Sequence, residues 1–469
     1  MQRRTAALLF ALCGCTLGPD YKPPALPSGA AAPLLVGADT QQETADAPPD
    51  HWWQLYDDAA LDMLIGDAFA ANADLRAAQD NLSAASAVLA ASRGKLYPST
   101  GIETAAVRGR DAATDEILEI DGHPPQSIWI FDSVLEVAYE VDLFGRVRRS
   151  IEQAKADTLA TAATVDALKV VVAAETARSY ANVCALGEQL EVSRHSLKVV
   201  SRQADIATRR RDAGAGSDFD VVREQGLVAQ VRSSIPLLEG QRRAAEYELA
   251  ALIGKTPSQA PAQVLDCVAP PKLSALLPVG DGAALLKRRP DIREADRRVA
   301  AATAGIGIAT ADLYPRVSLT GLYGGVGSHI YELRTDAGLT WGIGPSISWS
   351  FPNQIIPRAR IRQAKAQAAK AVAQFDAVVL EALKETAQAL SSYAAELDHH
   401  DALVDAQQQA HKAFKLARGQ LDAGSISSLD LLTTEQTLVA ADAAAAASDT
   451  ALVQDQIAIF KALGGGWQR

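Results

Sequence analysis

The chain has 469 residues, which exceeds the usual size of one domain and predicts either two domains or one elongated architecture. Aromatic residues make up only 5% of it and alanine fills long stretches, so closely packed helices are favoured over a thick globular core. The formal net charge of -11, with no basic stripe in the sequence, excludes a nucleic-acid-binding protein.

The first residues have the order of an export signal. Arg3 and Arg4 give a positive start, residues 5–12 an apolar run, and Gly14 a small residue at the cleavage site. Residues 1–14 are therefore predicted to be a signal peptide. The sequence contains no uninterrupted apolar run of about 18 residues, so a membrane-spanning helix is excluded on length and any membrane insertion must use strands.

The end of this signal resembles a lipobox. The stretch Leu12-Cys13-Gly14-Cys15 implies cleavage before Cys15, which would become a lipidated N-terminus carrying palmitate and would begin an extended segment at 15–58. Because Thr16 follows, and not the Asp that retains lipoproteins in the inner membrane, the resemblance implies delivery to the outer membrane. An ordinary secretory signal with two incidental cysteines is the alternative.

Two cysteines, Cys184 and Cys267, remain in the mature chain. Cysteines in an oxidising compartment can pair, but the sequence does not place these two within bridging distance. Cys184 lies in a predicted long helix and Cys267 in a proline-containing linker. We expect both to be free thiols.

Two halves of the chain follow one plan, because short segments recur at one constant offset. The matching pairs are Gln153-Ala154-Lys155 with Gln363-Ala364-Lys365, Asp212-Ala213-Gly214 with Asp422-Ala423-Gly424, and Ile253-Gly254 with Leu463-Gly464. Each half is predicted to contain a helix, a strand, a loop, a strand, a long helix, a tight turn and a return helix. The predicted boundaries are 59–254 for the first repeat, 255–282 for a linker, 283–463 for the second repeat and 464–469 for a tail.

Period-two alternation predicts a β-hairpin in each repeat, at 99–143 and 316–351. The first hairpin alternates apolar odd positions with acidic even ones, namely Leu135, Val137, Tyr139, Val141 and Leu143 against Asp132, Glu136, Glu140 and Asp142. The second alternates Leu339, Trp341, Ile343, Ile347, Trp349 and Phe351 with Thr340, Gly342, Gly344, Ser346, Ser348 and Ser350. A partner strand is predicted from Val317, Leu319, Gly321 and Tyr323. One face of each strand is therefore apolar, and the other is small or acidic.

Three aromatic residues, Tyr139, Trp341 and Trp349, are candidates for the girdles of a membrane barrel. Trp341 and Trp349 lie roughly 26 Å apart along a strand, close to the separation of two aromatic girdles. A soluble sandwich with one buried face is the alternative. The small or acidic second faces of four strands in an exported chain favour the barrel.

Four strands cannot close a barrel, for which about eight is the practical minimum, and lipid does not tolerate an open sheet edge. Two chains would leave a lumen filled by side chains, whereas three would leave room for passage. The predicted fold class is an α+β membrane protein in which a homotrimer forms one 12-stranded β-barrel. Its long coiled-coil helices are predicted to form a periplasmic α-barrel.

Residues 151–211 and 360–421 each contain no proline and one glycine, which predicts very long helices. Each could reach about 90 Å, far more than a membrane requires. Coiled-coil seams follow steps of four and three residues, at Leu186, Leu190, Ser193, Leu197, Val200, Ala204 and Ala207 and again at Leu403, Ala410, Phe414, Ala417 and Leu421. A solvated coiled-coil rod is the alternative interpretation.

Each long helix is predicted to end in a compact turn. Gly214 and Gly424 can adopt the left-handed conformation that ends a helix, and Ser217 or Ser427 can cap the return helix. These turns would ring the free end of a tunnel. The candidate partner-contact residues are Gly214, Ser217, Asp220, Gly424 and Ser427.

These features resemble the TolC-like outer membrane factors, in particular the NodT-type efflux lipoproteins, over nearly the whole chain. The resemblance rests on Cys15 with Gly18-Pro19-Asp20-Tyr21, Trp52-Trp53, Tyr139-Glu140-Val141-Asp142-Leu143-Phe144-Gly145, Arg288-Arg289-Pro290-Asp291-Ile292-Arg293, Leu313-Tyr314-Pro315-Arg316-Val317 and Leu463-Gly464-Gly465-Gly466-Trp467. It implies a homotrimer in the outer membrane of a Gram-negative bacterium, with its helices in the periplasm. It also implies two partners, a membrane-fusion adapter and an inner-membrane RND-type pump.

The resemblance also bears on the aperture. In related proteins an Asp about one turn beyond the second tip helps to close the tunnel, and the matching position here is Thr433. Asp430, a turn earlier, is its candidate substitute. We therefore hypothesise that Leu429 and Asp430 line the constriction.

The predicted function is passive conduction of small molecules, with a modest preference for cations that salt screens. An outer-membrane channel for type I protein secretion and a lipid-anchored structural coiled coil are the alternatives. No catalysis, cofactor or metal is predicted, because His195, His399, His400 and His411 lack the spacing and acidic companions of a metal site. Gly324, Gly325 and Gly327 follow a strand but open no helix, so they are a weak candidate for a phosphate loop.

Overall fold

The computed structural model describes residues 16–30, 43–44, 49–110, 120, 127–273, 277–279, 282–465 and 467. The predicted signal peptide at 1–14 and the predicted lipidation site Cys15 lie outside the described residues. The chain divides into two compact units. The sheet unit contains the described residues up to Pro24 together with Asn81–Thr161 and Glu294–Phe375, and the helical unit contains the remainder.

The order of elements repeats, as the sequence predicts. The described strands are β1 (Glu43–Thr44), β2 (Ser99–Gly109), β3 (Ile128–Val141), β4 (Leu277–Pro278), β5 (Arg316–Gly327) and β6 (Leu339–Ser348). The described helices are α1 (Ala59–Ala71), α2 (Ala73–Gly94), α3 (Arg146–Asp212), α4 (Asp218–Leu252), α5 (Gly282–Arg288), α6 (Pro290–Ala311), α7 (Ile355–Asp422) and α8 (Ser428–Ala462). No helix among the described residues combines the length and the apolar character needed to cross a membrane.

The sheet unit is built on one antiparallel sheet with the strand order β2-β3-β5-β6. Leu135 of β3 lies opposite Tyr323 of β5, which in turn lies opposite Trp341 of β6. Directly opposed residues share a face, so the odd-numbered apolar residues gather on one side of the sheet. We call this side the apolar face. The predicted alternation is confirmed there.

The opposite face is less polar than predicted. Leu322 lies opposite Glu136, and Val326 lies opposite Asp132, so apolar side chains share this face with the acids. The prediction of a uniformly small or acidic second face is wrong, because it was made from β3 and β6 and took no account of the even positions of β5. The strands also end before the predicted hairpin limits at 143 and 351, with β3 ending at Val141 and β6 at Ser348.

The helical unit is held by a core of aromatic and aliphatic side chains. Trp52, in a short 3-10 helix at Trp52–Tyr56, stacks on Phe460 of α8 with ring centroids 4.8 Å apart. Leu61, Ile65 and Leu249 are fully buried in the same cluster. The segment predicted to be extended up to residue 58 therefore contains a helical turn that anchors it to this core.

The predicted coiled-coil seams correspond to buried or half-buried positions. Leu190 and Val200 of α3 are buried, as are Ala410 and Ala417 of α7. Small residues at several seam positions let neighbouring helices approach closely. The seams therefore face other helices, as the steps of four and three residues predict.

The prediction that Cys184 and Cys267 are free is wrong. They form a disulfide with an S–S distance of 2.12 Å and a Cα–Cα distance of 4.8 Å, across 83 residues of sequence. The linker folds back on α3, where Arg242 of α4 donates hydrogen bonds to the carbonyl oxygens of Leu265 (2.7 Å) and Cys267 (2.6 Å). This contact between distant segments depends on tertiary packing, which spacing along the sequence does not reveal.

The first described residues are fixed to the sheet unit beside the start of α3. The Leu17 N–H donates to the carbonyl oxygen of Phe144 at 3.3 Å. Gly145 permits this approach, because a Cβ at that position would lie only 2.7 Å from the Cα of Thr16. The buried guanidinium of Arg149 donates to the Leu17 carbonyl oxygen at 3.1 Å and pairs with Asp20 at 2.8 Å. These contacts fix the start of the described N-terminal segment beside the first turn of α3.

Candidate functional site

The turn between α3 and α4, here called the first tip, has the predicted helix-ending geometry. Gly214 has φ +72°, and the next N–H, that of Ala215, donates to the carbonyl oxygen of Arg210 at 2.8 Å. Ser217 then caps α4. Its hydroxyl accepts from the Asp220 N–H at 3.2 Å, and the Asp220 carboxylate accepts from the Ser217 N–H at 3.2 Å.

The turn between α7 and α8, here called the second tip, repeats this geometry. Gly424 has φ +73°, and Ser427 and Asp430 form the same reciprocal cap. Hydrogen bonds from the hydroxyl and the N–H of Ser427 lower the pKa of the exposed Asp430 carboxyl, which is therefore charged at neutral pH. Asp220 and Asp430, to which the sequence assigned different roles, occupy equivalent positions in the two tips.

The side chains of the two tips differ. In the first tip, Arg211 pairs with Asp212 at 2.6 Å and with Asp218 at 3.4 Å, all of them exposed. In the second tip, Leu421 and Leu431 are buried together in an apolar cluster. Each tip also presents one exposed apolar residue at the equivalent position, Phe219 with 68% of its surface accessible and Leu429 with 50%.

The remaining predicted aperture position, Thr433, has a local role. Thr433 is exposed, and its hydroxyl donates to the carbonyl oxygen of Leu429 at 2.9 Å within α8. The neighbouring Leu432 is only 5% exposed and packs against Val200, Leu227 and Val231. These three residues belong to the first helical hairpin, which consists of α3 and α4, whereas α7 and α8 form the second. The two hairpins are thus in contact one turn inward from the tips.

A pair of buried carboxyl groups lies next to this contact, and sequence reasoning missed it. Glu435 of α8 is 0% exposed, and within the described part of the chain neither of its carboxyl oxygens accepts a hydrogen bond. Burial, together with nearby Glu224 of α4, raises the pKa of Glu435 to about 8, while Arg418 opposes the shift. Burial also raises the pKa of Glu224. The available signal was helical spacing, since Glu435 lies on the same face of α8 as Leu431 and Leu438.

Aromatic side chains gather at both ends of the sheet. At the helix end, where β3 leads to α3 and β6 leads to α7, Trp349 stacks on Phe351 at 4.6 Å and donates from Nε1 to the Leu313 carbonyl oxygen at 3.0 Å. At the loop end, where β2 leads to β3 and β5 to β6, Trp129 stacks on Phe131 at 5.8 Å. Sequence reasoning missed this second pair, because it searched β6 for both ends of the girdle.

The other candidate girdle residues lie on β3 and β6. Tyr139 lies opposite Leu319 towards the helix end, whereas Trp341 is the third residue of β6 and lies towards the loop end. Both belong to the apolar face. The three predicted aromatics are therefore distributed between the two ends of one face.

Two of the acids predicted to line a lumen are already engaged. Glu140 accepts from Arg146 Nε at 2.9 Å, and Asp142 accepts from the N–H groups of Val147 and Arg148 at the start of α3, both at 2.9 Å. Their charge is compensated locally. This reduces the cation preference expected from counting acids along β3.

The prediction that the four histidines lack acidic companions is wrong for one of them. His411 Nε2 lies 2.9 Å from Oδ1 of Asp442 on the adjacent helix, so it does have an acidic companion. Even so, the described residues contain no group of three or more His, Cys, Asp and Glu side chains that could hold a metal ion. Gly324, Gly325 and Gly327 lie within β5 and do not follow the strand as predicted, and a short 3-10 helix at Ile330–Arg334 begins three residues after Gly327.

Comparison with known proteins gives one consistent result. The family model described as "Outer membrane efflux protein" matches residues 64–255 and 283–465. Nodulation protein T of Rhizobium leguminosarum bv. viciae is 28% identical over 98% of this chain and 93% of its own length. The solvent efflux pump outer membrane protein SrpC of Pseudomonas putida is 30% identical over 98% of this chain and 97% of its own length.

Two solved structures match nearly the whole chain. The outer-membrane channel OprN has a TM-score of 0.87 and 32% identity, covering 97% of this chain and 100% of that one. The open state of the MtrE outer membrane channel of Neisseria gonorrhoeae has a TM-score of 0.82 and 26% identity, covering 97% and 99%.

Proposed function

This chain belongs to the outer membrane efflux protein family, and from that premise we propose how it builds an exit duct. The family predicted from the sequence is confirmed. In the outer membrane the protein gives small molecules a water-filled path, so that they need not cross the apolar layer. No catalytic step is proposed, because the energy for transport comes from a pump in the inner membrane.

The single observation that carries the proposal is the four-stranded sheet with one apolar face. β2 and β6 are its outer strands, and their free backbone groups would be too costly to leave unpaired in lipid. We propose that β6 of one chain pairs with β2 of the next, so that three chains close a barrel of twelve strands. The apolar face then meets lipid, and the opposite face, with Glu136, meets the lumen.

The long helices are proposed to form the periplasmic part of the duct, where a membrane-fusion adapter and an RND-type pump are the partners. The related SrpC is named for solvent efflux, which supports small organic compounds as the cargo class. Lipidation of Cys15 would add an anchor in the outer membrane. The adapter is proposed to contact the tips through the exposed surface around Gly214, Ser217, Asp220, Gly424 and Ser427.

The aperture is proposed to close at the second tip, where Leu429 supplies an exposed apolar side chain and Asp430 a fixed negative charge. The cap formed with Ser427 holds that charge in place. Thr433, whose hydroxyl is engaged within α8, supplies a neutral lining one turn further along. Opening requires the first hairpin to move away from the second, against the packing of Leu432.

The duct is tested by native mass spectrometry and by single-channel recording of the purified full-length protein in planar bilayers. We expect a trimer with low conductance in the closed state. A monomer that neither enters bilayers nor conducts would overturn the proposal.

The aperture is tested by combining Leu429→Ala with Asp430→Ala, which we expect to raise closed-state conductance. The matched control is Asp220→Ala, which removes the equivalent cap of the first tip and is expected to leave conductance low. Unchanged conductance in the double variant, or an equal rise in the control, would contradict the assignment.

A further inference from the structure

The apolar face of the sheet carries a groove of about 640 Å³. Gly321 forms its floor, since this position adds no side chain to the face. The walls come from three strands and are lined by Leu135, Val137, Tyr139, Leu319, Trp341 and Ile343. The volume lies within the range of about 300–1,000 Å³ found for ligand pockets, and the walls are almost wholly hydrocarbon and aromatic.

The groove runs along the strands from the helix end of the sheet. Tyr139 is two residues from the end of β3 at Val141, and Leu135 lies four residues further into the sheet. At about 3.3 Å per residue, the stretch between Tyr139 and Leu135 is roughly 13 Å long. A long, narrow, apolar occupant that enters from the helix end fits this shape.

The described N-terminal segment begins at the same helix end of the sheet. Thr16 lies against Gly145, and the Leu17 N–H is held by Phe144, both a few residues beyond the end of β3. Cys15 is bonded directly to Thr16, so their Cα atoms are about 3.8 Å apart. A lipid attached to Cys15 would thus start beside the mouth of the groove.

We propose that the groove holds an acyl chain of the lipid attached to Cys15, an inference that rests on the lipidation included in the proposed function. The tether keeps this chain near the groove, and the surrounding phospholipid is its competitor there. The acyl chain would then pack on the apolar face of the sheet and set how deeply the sheet lies in the membrane.

The experiment uses the full-length protein made in cells fed with a palmitate that carries a photoactivatable diazirine. Membranes are irradiated, the protein is purified, and cross-linked peptides are identified by mass spectrometry. We expect the N-terminal lipopeptide to be joined to peptides that contain Tyr139 or Leu319. Whole phospholipid on these residues, without the lipopeptide, would assign the groove to bulk lipid and overturn the proposal.

A matched pair of variants tests the groove itself. A Cβ at Gly321 would meet only the Gly342 carbonyl oxygen at 3.8 Å and Ile343 Cγ1 at 4.0 Å, so Gly321→Leu should fill the groove without displacing the backbone. Gly344→Leu adds the same side chain to the opposite face, where nothing lies within 4 Å of a new Cβ. We expect the lipopeptide cross-link to be lost in the first variant and kept in the second. Its retention in both would overturn the proposal.

The mass of the N-terminal peptide separates two kinds of failure. A peptide without lipid on Cys15 would refute the lipidation and, with it, the occupant of the groove. A lipidated peptide whose cross-links scatter over other residues would refute the groove alone and leave the duct intact.

Discussion

The two tips share one backbone and differ in what holds them. Both have a left-handed glycine, a Ser-Asp capping box and a buried aliphatic residue, Val221 or Leu431, at the equivalent position. The first tip has the ion pairs of Arg211 where the second has the buried Leu421. Exposed ion pairs contribute little to stability and are weakened by salt, whereas buried apolar contacts are not. Duplication therefore kept the backbone geometry of the tip, while the side-chain contacts that resist its movement diverged. We therefore expect the first tip to move more easily.

The strongest test concerns the base of the first hairpin, where the Cys184–Cys267 disulfide has no counterpart in the second repeat. By the chain-entropy model, replacing both cysteines with alanine should cost about 4.5 kcal/mol for a loop of 83 residues. Hydrogen exchange should increase in α3, α4 and the linker, and less in α7 and α8. An equal increase in hydrogen exchange in both helical hairpins would show that the disulfide does not stabilise the first hairpin in particular.

The contact between the hairpins is tested by Leu432→Ala. This truncation removes a buried side chain that packs on Val200 and Leu227, and it should cost about 2–5 kcal/mol of local stability. Val222, the equivalent residue of the first tip, is 65% exposed, so Val222→Ala should change stability by no more than about 0.5 kcal/mol. Limited proteolysis at the tips measures both. Similar sensitivity to the protease in the two variants would refute the proposal that the two tips differ in packing.

The buried Glu435 predicts a pH dependence of the same contact. Its pKa is raised to about 8 in the folded protein from an ordinary value of 4.5, so folding favours the protonated form. The stability that this adds is complete below pH 4.5 and is lost as pH rises through 8. Glu435→Gln should remove this dependence and slow hydrogen exchange near the tip above pH 8, whereas the exposed control Glu248→Gln should not. An unchanged pH profile in Glu435→Gln would locate the titration elsewhere.

The smallest expected loss of stability comes from removing the capping serine that both tips contain. Ser217→Ala and Ser427→Ala each remove a capping hydroxyl and should each cost about 1 kcal/mol. Because the two capping boxes have the same geometry, the losses should agree, as measured by hydrogen exchange in the first turns of α4 and α8. A clear difference would mean that the surroundings of the tips matter more than the cap.

Features with a local cause could be predicted from the sequence. The constant offset between Asp212-Ala213-Gly214 and its repeat located both tips, and the alternation from Leu135 to Val141 predicted a strand with one apolar face. The long helices followed from the absence of proline. In each case the residues that form the structure are neighbours along the chain.

Features that join distant segments were missed or given the wrong interpretation. The Cys184–Cys267 bridge, the His411–Asp442 pair and the meeting of Glu224 with Glu435 all depend on which helices pack together. Asp430 was separated from its equivalent in the first tip for a different reason. It is taken as the substitute for an aspartate of relatives whose matching position here is Thr433, whereas the offset within this chain pairs Asp430 with Asp220.

The unpaired outer edges of β2 and β6 constrain how the protein assembles. A chain that completed its sheet alone would expose two rows of unsatisfied backbone groups, which favour indiscriminate aggregation. Newly exported chains must therefore be escorted across the periplasm, or must form the sheet only as three of them come together.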